Sequence, residues 1–241
     1  MISPAVQLGV GRRELVSFVG AGGKTTLLLG LGAELASAAR VVMTTTTKMG
    51  ADQLPDWTTV CRTDAEVANA IGGEDPVFVV DGVAGEKVMG VTAEYADALF
   101  ARAGVDYVLV EADGARRRLL KAPAAHEPVI PQTTTIVVAI AGLDAIGGRI
   151  GDVAHRPERV IALTERTLDD LVAPTDIATV LSHSDGGLHH VPDGARVVVA
   201  LTKIGSEPDP AVVSEIASQL QDESRIDRVV AFAIEPGWPR P

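Results

Sequence analysis

The chain has 241 residues, 46% of them apolar and 22% charged, with a net charge of −11; that excludes a disordered chain and fits one large α/β domain spanning 1–241. So acidic a protein lacks the basic stripe that nucleic acid or anionic lipid requires, and no apolar run reaches the ~18 residues of a membrane span. Cys61, the single cysteine, excludes an internal disulfide, and the start of the chain lacks the basic, apolar and small-residue regions of a secretory signal, so the expected location is cytoplasmic.

Residues 16–19 form an apolar run that predicts a buried strand. It leads into Gly20, Ala21, Gly22, Gly23, Lys24, Thr25 and Thr26, the composition of a phosphate cradle. Glycines let the backbone curl so that N–H groups point inward, and a helix beginning at Thr25 turns its positive end to the same place. Lys24 then supplies a point charge for the outer phosphates, and the Thr25 hydroxyl a ligand for Mg2+.

Residues 26–40 predict a helix, with Leu27, Leu28, Leu31 and Leu35 on or near one face. The strand at 40–43 runs into Thr44, Thr45, Thr46 and Thr47. In an open α/β sheet ligands sit at the carboxyl edge of the strands, so Thr46 is a candidate to complete a magnesium shell. A strand at 58–62 precedes a capping box from Thr63 to Glu66 that opens a short helix. Residues 76–91 predict two short strands joined as a hairpin extension of the main sheet, and 92–103 a helix with Tyr95, Leu99 and Phe100 inward.

The apolar strand at 107–111 ends on Glu111, where an acid can orient magnesium or its water, and Asp113 shares its face if the strand continues. Arg116, Arg117, Arg118 and Lys121 follow; beside a phosphate edge, Arg116 and Lys121 are candidate anion contacts. The stretch from Glu111 to Glu127 predicts a loop that closes on a terminal phosphate. A buried strand at 134–141 delivers Gly142, Asp144 and Gly147 to the same edge. Helices are expected from Pro157 and over 175–182, and His183, His189 and His190 read as a surface loop. The strand at 196–201 brings Thr202, Lys203, Ile204 and Gly205 to the edge; 210–221 predicts a helix, 228–234 a closing strand, and the chain after Glu235 a loose tail.

Several of these stretches resemble known elements. Counted from Gly20, the loop reads G-x-x-G-K-T; it resembles the loop of peptide-ligase relatives of the P-loop class, although Phe18 stands where the standard Walker A spacing has a glycine. Its doubled threonine resembles the dimeric ATPase and signal-recognition GTPase branch. The strand ending on Glu111 resembles Walker B. Thr202-Lys203-Ile204-Gly205 resembles the element with which GTPases hold guanine, Lys203 lying along the base, but Gly205 stands in place of the acid. ATP, CTP and GTP are therefore expected to bind within about tenfold of one another.

Taken together, VGAGGKTT, VVMTTTTKM, VLVEADGARRRLLKAPAAHEPVIP, GLDAIG, HRPE and GARVVVALTK are similar to the selenium-dependent molybdenum hydroxylase accessory proteins, over residues 15–203. The resemblance implies a three-layer P-loop NTPase-like α/β fold with a mostly parallel sheet. It also implies a Mg2+-dependent nucleoside triphosphatase in the maturation of a molybdenum hydroxylase or another molybdenum cofactor enzyme. Lys24, Glu111, Asp113 and Arg116 are the expected catalytic residues. Two other functions stay open. One is a ligase or kinase with an acceptor pocket at Arg116, Lys121, His126 and Asp144; the other is a non-catalytic nucleotide switch that docks on a partner enzyme.

Overall fold

The computed structural model describes residues 3–73 and 75–235. Helix α1 (Pro4–Leu8) precedes strand β1 (Glu14–Gly20), helix α2 (Lys24–Ala36), and strands β2 (Val41–Thr45), β3 (Met49–Gly50) and β4 (Thr59–Cys61). Helix α3 (Asp64–Ala70) is followed by β5 (Val77–Val79), β6 (Gly82–Ala84), β7 (Lys87–Met89), helix α4 (Ala93–Ala101), β8 (Tyr107–Glu111), β9 (Leu120–Lys121) and β10 (Ile136–Gly142). Then come α5 (Ile150–Val153), β11 (Ala154–His155), α6 (Pro157–Thr164), α7 (Pro174–Ser182), β12 (Arg196–Ile204), α8 (Pro210–Leu220) and β13 (Ile226–Ile234).

Eight strands form one sheet in the order β13-β12-β10-β1-β8-β2-β5-β4, and every neighbouring pair is parallel. A parallel sheet is covered on both faces, which is why β1, β2, β8, β10 and β12 read as continuous apolar runs rather than alternating ones. Side chains alternate across the sheet. Leu15 and Val19 of β1 join one core with Val67 of α3, Leu99 of α4, Ile177 of α7 and Ile216 of α8. Val16 and Phe18, one position out of phase, join the other with Leu27, Leu28 and Leu31 of α2 and Leu8 of α1. The result is an α/β fold with helices packed on both faces of a central parallel sheet.

The chain leaves β1 through α2 and returns at β2, which lies two places away, with β8 between them. On the other side of β1 stands β10, reached only later. The carboxyl end of β1 is therefore flanked by those of β8 and β10, the kind of crevice in which open α/β sheets place ligands.

Two expectations are corrected. The apolar run at 77–80 is not an arm of the hairpin: Val77, Phe78 and Val79 are buried, and β5 takes a place inside the main sheet between β2 and β4. The hairpin is β6 with β7, and it belongs with β3 to a separate antiparallel sheet. Its strand β6, Gly-Val-Ala, has too little apolar surface to be covered on two faces. The helix expected over 26–40 starts at Lys24 and stops at Ala36, short of the Ser37-Ala38-Ala39 stretch that turns into β2. The tail after Glu235 lies outside the described residues.

Candidate functional site

At the end of β1 the backbone turns through Gly20, Gly22 and Gly23, with φ of 91°, 87° and 139°, values that side-chain-bearing residues rarely adopt. Space imposes glycine as well. A Cβ on Gly22 would stand 2.5 Å from the Gly142 nitrogen, and one on Gly23 2.6 Å from Ile234 Cδ1. Ala21 donates its N–H to the Ile140 carbonyl at 3.0 Å, and Gly20 donates to Asp113 Oδ2 at 3.2 Å. Beyond them the first helical bond of α2 is Leu27 N–H to the Gly23 carbonyl. Among the described residues, the N–H groups of Gly22, Gly23, Lys24, Thr25 and Thr26 have no acceptor. A run of unfilled donors at a helix N-terminus is an anion-binding arrangement.

Beside this loop lies a chain of charges of alternating sign, buried at Lys24, Glu111, Asp113 and Lys121 and half-buried at Glu127 and Arg156. Lys24, 5% exposed, donates from Nζ to the Gly20 carbonyl at 2.6 Å and lies 3.2 Å from Asp113 Oδ1 and 4.0 Å from Glu111 Oε1. Its approach to Asp113 is an ion pair without hydrogen-bond geometry. Asp113 is 2% exposed, and its Oδ2 is 2.9 Å from Lys121 Nζ. Lys121, with a side chain 0% exposed, meets Glu127 Oε2 at 3.0 Å and donates to the Gly114 carbonyl at 2.6 Å. Glu127 in turn accepts two hydrogen bonds from the Arg156 guanidinium, at 3.2 and 3.3 Å. Three carboxylates and three cations thus run from β1 to the start of α6 with no net charge.

Glu111 is the weakly paired end of this chain. Burial pushes its carboxyl above the ordinary value of 4.5, against the pull of Lys24 and of the hydrogen bond from Thr25. That bond, from Thr25 Oγ1 to Glu111 Oε2, is 2.7 Å long. It sets a hydroxyl and an acid side by side next to the unfilled N–H donors. Among the described residues no group of three or more His, Cys, Asp or Glu could hold a metal ion. A cation held here would therefore draw most of its ligands from a bound anion and water, which is how magnesium is commonly bound.

Glu127 behaves oppositely. Burial disfavours its charge, but the hydrogen bonds and charges of Arg156 and Lys121 outweigh that and hold it at about 2, below its ordinary 4.5. A carboxylate with a depressed folded-state pKa stabilises the fold above its unfolded value and loses that contribution as pH falls through the folded one. Stability is therefore expected to fall between pH 4.5 and about 2, by about 3 kcal/mol from this group. Glu127→Gln should flatten that limb of a urea-midpoint profile; an unchanged acid limb would mean that the Glu127 pairs contribute nothing.

The remaining expected residues lie elsewhere. Thr46 gives its hydroxyl to the Val129 carbonyl at 2.7 Å and its N–H to the Glu111 carbonyl at 3.0 Å. Thr44 and Thr45 also donate to carbonyls, of Val79 and Glu111, so these threonines tie strand ends together. Arg116 and His126 are exposed, and Arg117 pairs with Asp52 at 2.8 Å, both side chains open to solvent. Lys121, expected to reach for an anion, is sealed inside the charge chain. The second half of its loop is anchored too: Leu119 donates to Val153 and accepts from Gly142, and β9 pairs with β11. Movement of the whole segment 111–127 is thereby opposed. Lys203 pairs with Asp144 at 2.5 Å at the neighbouring strand ends. Sequence reading gave Glu127 and Arg156 no part in the site, although both stand in short polar motifs next to prolines, HEP and HRPE.

A cavity of about 330 Å³ lies at the opposite edge of the sheet, where β2 and β5 begin. Two of the charged residues that line it are engaged with the protein itself: Arg40 donates its N–H to Asp106 at 2.9 Å and its guanidinium to the Gly73 carbonyl. The convergence of polar groups is at the carboxyl edge.

The sequence profile of the YqeC protein family matches residues 16–158, from β1 through the charge chain to the start of α6. The chain belongs to the YqeC family. Among its relatives is a protein of Escherichia coli (strain K12) named "Uncharacterized protein YqeC", 35% identical over 222 residues, covering 90% of this chain and 86% of the relative. No solved structure matches it. The stretch shared with the YqeC profile contains the glycine loop and every member of the charge chain. No helix among the described residues is long and apolar enough to cross a membrane.

Proposed function

We propose that this protein binds a nucleoside triphosphate, ATP, CTP or GTP, at the carboxyl edge of β1 in the manner of a P-loop protein, and hydrolyses it with Mg2+. The observation that carries the reading is the run of N–H groups from Gly22 to Thr26 that find no acceptor among the described residues, with Lys24 beside them and Thr25 hydrogen-bonded to Glu111. The backbone donors bind and orient the phosphates, and Lys24 exchanges the Gly20 carbonyl and Asp113 for their outer oxygens. Asp113 keeps Lys121 as its counter-charge when Lys24 leaves, and Glu111, which has no other cation within 4.0 Å among the described residues, would take magnesium in place of Lys24. Positioning and charge neutralisation of this kind are the main catalytic means in phosphoryl transfer. Thr25 and Glu111 would hold magnesium, directly or through water, and the ion neutralises phosphate charge when bound.

Service to selenium-dependent molybdenum hydroxylases is the role we infer from the motif combination. In support, its most distinctive parts, EADG, the following Lys121 and HEP, together with HRPE, supply the members of one ion chain beyond the glycine loop.

Titration of the protein with a triphosphate, with and without magnesium, tests this. Magnesium should tighten binding, and Glu111→Gln should reduce that gain by about tenfold, one charge-assisted contact. Binding that ignores magnesium in both proteins would contradict the proposed roles of Thr25 and Glu111.

A further inference from the structure

Position 205 is a glycine, and on the sequence alone that leaves the site without an acid to read a base. The fold supplies one from another loop. Asp144 follows β10, and its Oδ1 receives Lys203 Nζ at 2.5 Å while its Oδ2 accepts the Ile204 N–H at 3.0 Å. The two contacts fix the carboxylate in one orientation and leave each oxygen a lone pair to spare. The pair is within reach of solvent, with side chains 32% exposed for Lys203 and 25% for Asp144.

Its place is set by the glycine loop. Gly142 and Thr202 are partners in the β10–β12 ladder, and both press on that loop: a Cβ on Gly22 would strike Gly142, and Thr202 donates its hydroxyl to the Gly22 carbonyl. Asp144 and Lys203 stand two and one residues beyond those contacts, on the side away from Glu111, because β10 and β8 flank β1 on opposite sides. Next to them Ile204 is 52% exposed, and nothing lies within 4 Å of the position a Cβ on Gly205 would take. A fixed acceptor, a cation with an aliphatic stem, an exposed branched side chain and open space together make a shelf for a flat polar ring.

We infer that Asp144, Lys203 and Ile204 form the base-recognising shelf of the nucleotide site, and that the base is guanine. This rests on the nucleotide reading above. Guanine presents two adjacent donors, N1–H and the N2 amino group, to the two oxygens of a carboxylate. Adenine and cytosine each set one donor beside an acceptor nitrogen, which a carboxylate repels. A site that reads a base through such bonds discriminates because mismatched polar groups are left unpaired.

Calorimetric titration of the wild type with the magnesium complexes of GTP, ATP, xanthosine triphosphate and inorganic tripolyphosphate is the test, repeated with Asp144→Asn. GTP should bind about 10- to 150-fold more tightly than ATP or tripolyphosphate, one bidentate contact to a charged group. Asp144→Asn turns one acceptor into a donor, which suits the 2-oxo group of xanthine, so the preference should pass from GTP to xanthosine triphosphate. A defect in folding or in the loop weakens both ligands and cannot reverse their ratio. Equal binding of all four ligands, or an unchanged GTP-to-xanthosine ratio in the variant, overturns the shelf and leaves the nucleotide reading standing. Failure of every ligand, tripolyphosphate included, to bind the wild type overturns both.

Discussion

Lys121→Met is expected to destabilise the protein by about 3–5 kcal/mol, the range for removing one partner of a buried ion pair. The Lys121 side chain is 0% exposed and lies within 3.0 Å of both Asp113 and Glu127. Methionine fills the volume, so the loss is electrostatic: Asp113 keeps Lys24 and the Gly20 N–H, and Glu127 keeps Arg156 and a long hydrogen bond from the Ala124 N–H. In a chain of this size that corresponds to a fall in Tm of roughly 6–20 °C. Arg117→Ala is the matched control from the same basic run. Its pair with Asp52 is exposed on both sides, so the melting curve should hardly move. Equal curves for Lys121→Met and wild type would show that the buried chain is not a stabilising unit.

Lys24→Ala is expected to weaken triphosphate binding by about 10- to 150-fold, the loss of one charge-assisted contact. It is also expected to lower stability, because Lys24 is the one cation within 4.0 Å of Glu111 among the described residues. Read from the sequence, Lys24 is an arm that waits for phosphate, and its removal should leave the fold intact. In the structure it is buried in an ion chain, so the two effects must be separated. Binding compared at a temperature where both proteins are fully folded does this. A variant that melts lower yet binds triphosphate as tightly as wild type would make Lys24 a structural residue.

Much of the architecture is visible in the sequence, since the strands of a parallel sheet are buried on both faces and read as unbroken apolar runs. The runs at 16–19, 107–111, 134–141 and 196–201 all mark central strands. What joins them is less legible. The apolar run at 77–80 and the hairpin after it look continuous in sequence, and only strand pairing separates them into two sheets. In the site, the glycine loop and Glu111 are local features tied to strand ends, so spacing reveals them. The charge chain is not local: Glu127 and Arg156 are 29 residues apart, and nothing in a run such as Arg116-Arg117-Arg118-Leu119-Leu120-Lys121 says which cation turns inward. Arg116 and Arg117 take left-handed backbone conformations, with φ of 49° and 59°, so the run turns sharply. Its side chains part company, Arg117 to the surface and Lys121 to the core. Asp144 shows the same limit, because the acid missing at position 205 comes from a separate loop.

The central claim is that phosphate binds at the N–H groups of residues 22–26 and not in the cavity at the far edge. Amide chemical shifts of the labelled protein, followed as magnesium and a triphosphate are added, decide between the two places. The account predicts that the amides of Gly22, Gly23, Lys24, Thr25 and Thr26 shift strongly and become protected from exchange, while those of Arg40, Val41 and Val77 stay where they are. Large shifts at Arg40, Val41 and Val77 with the glycine loop unmoved would contradict it.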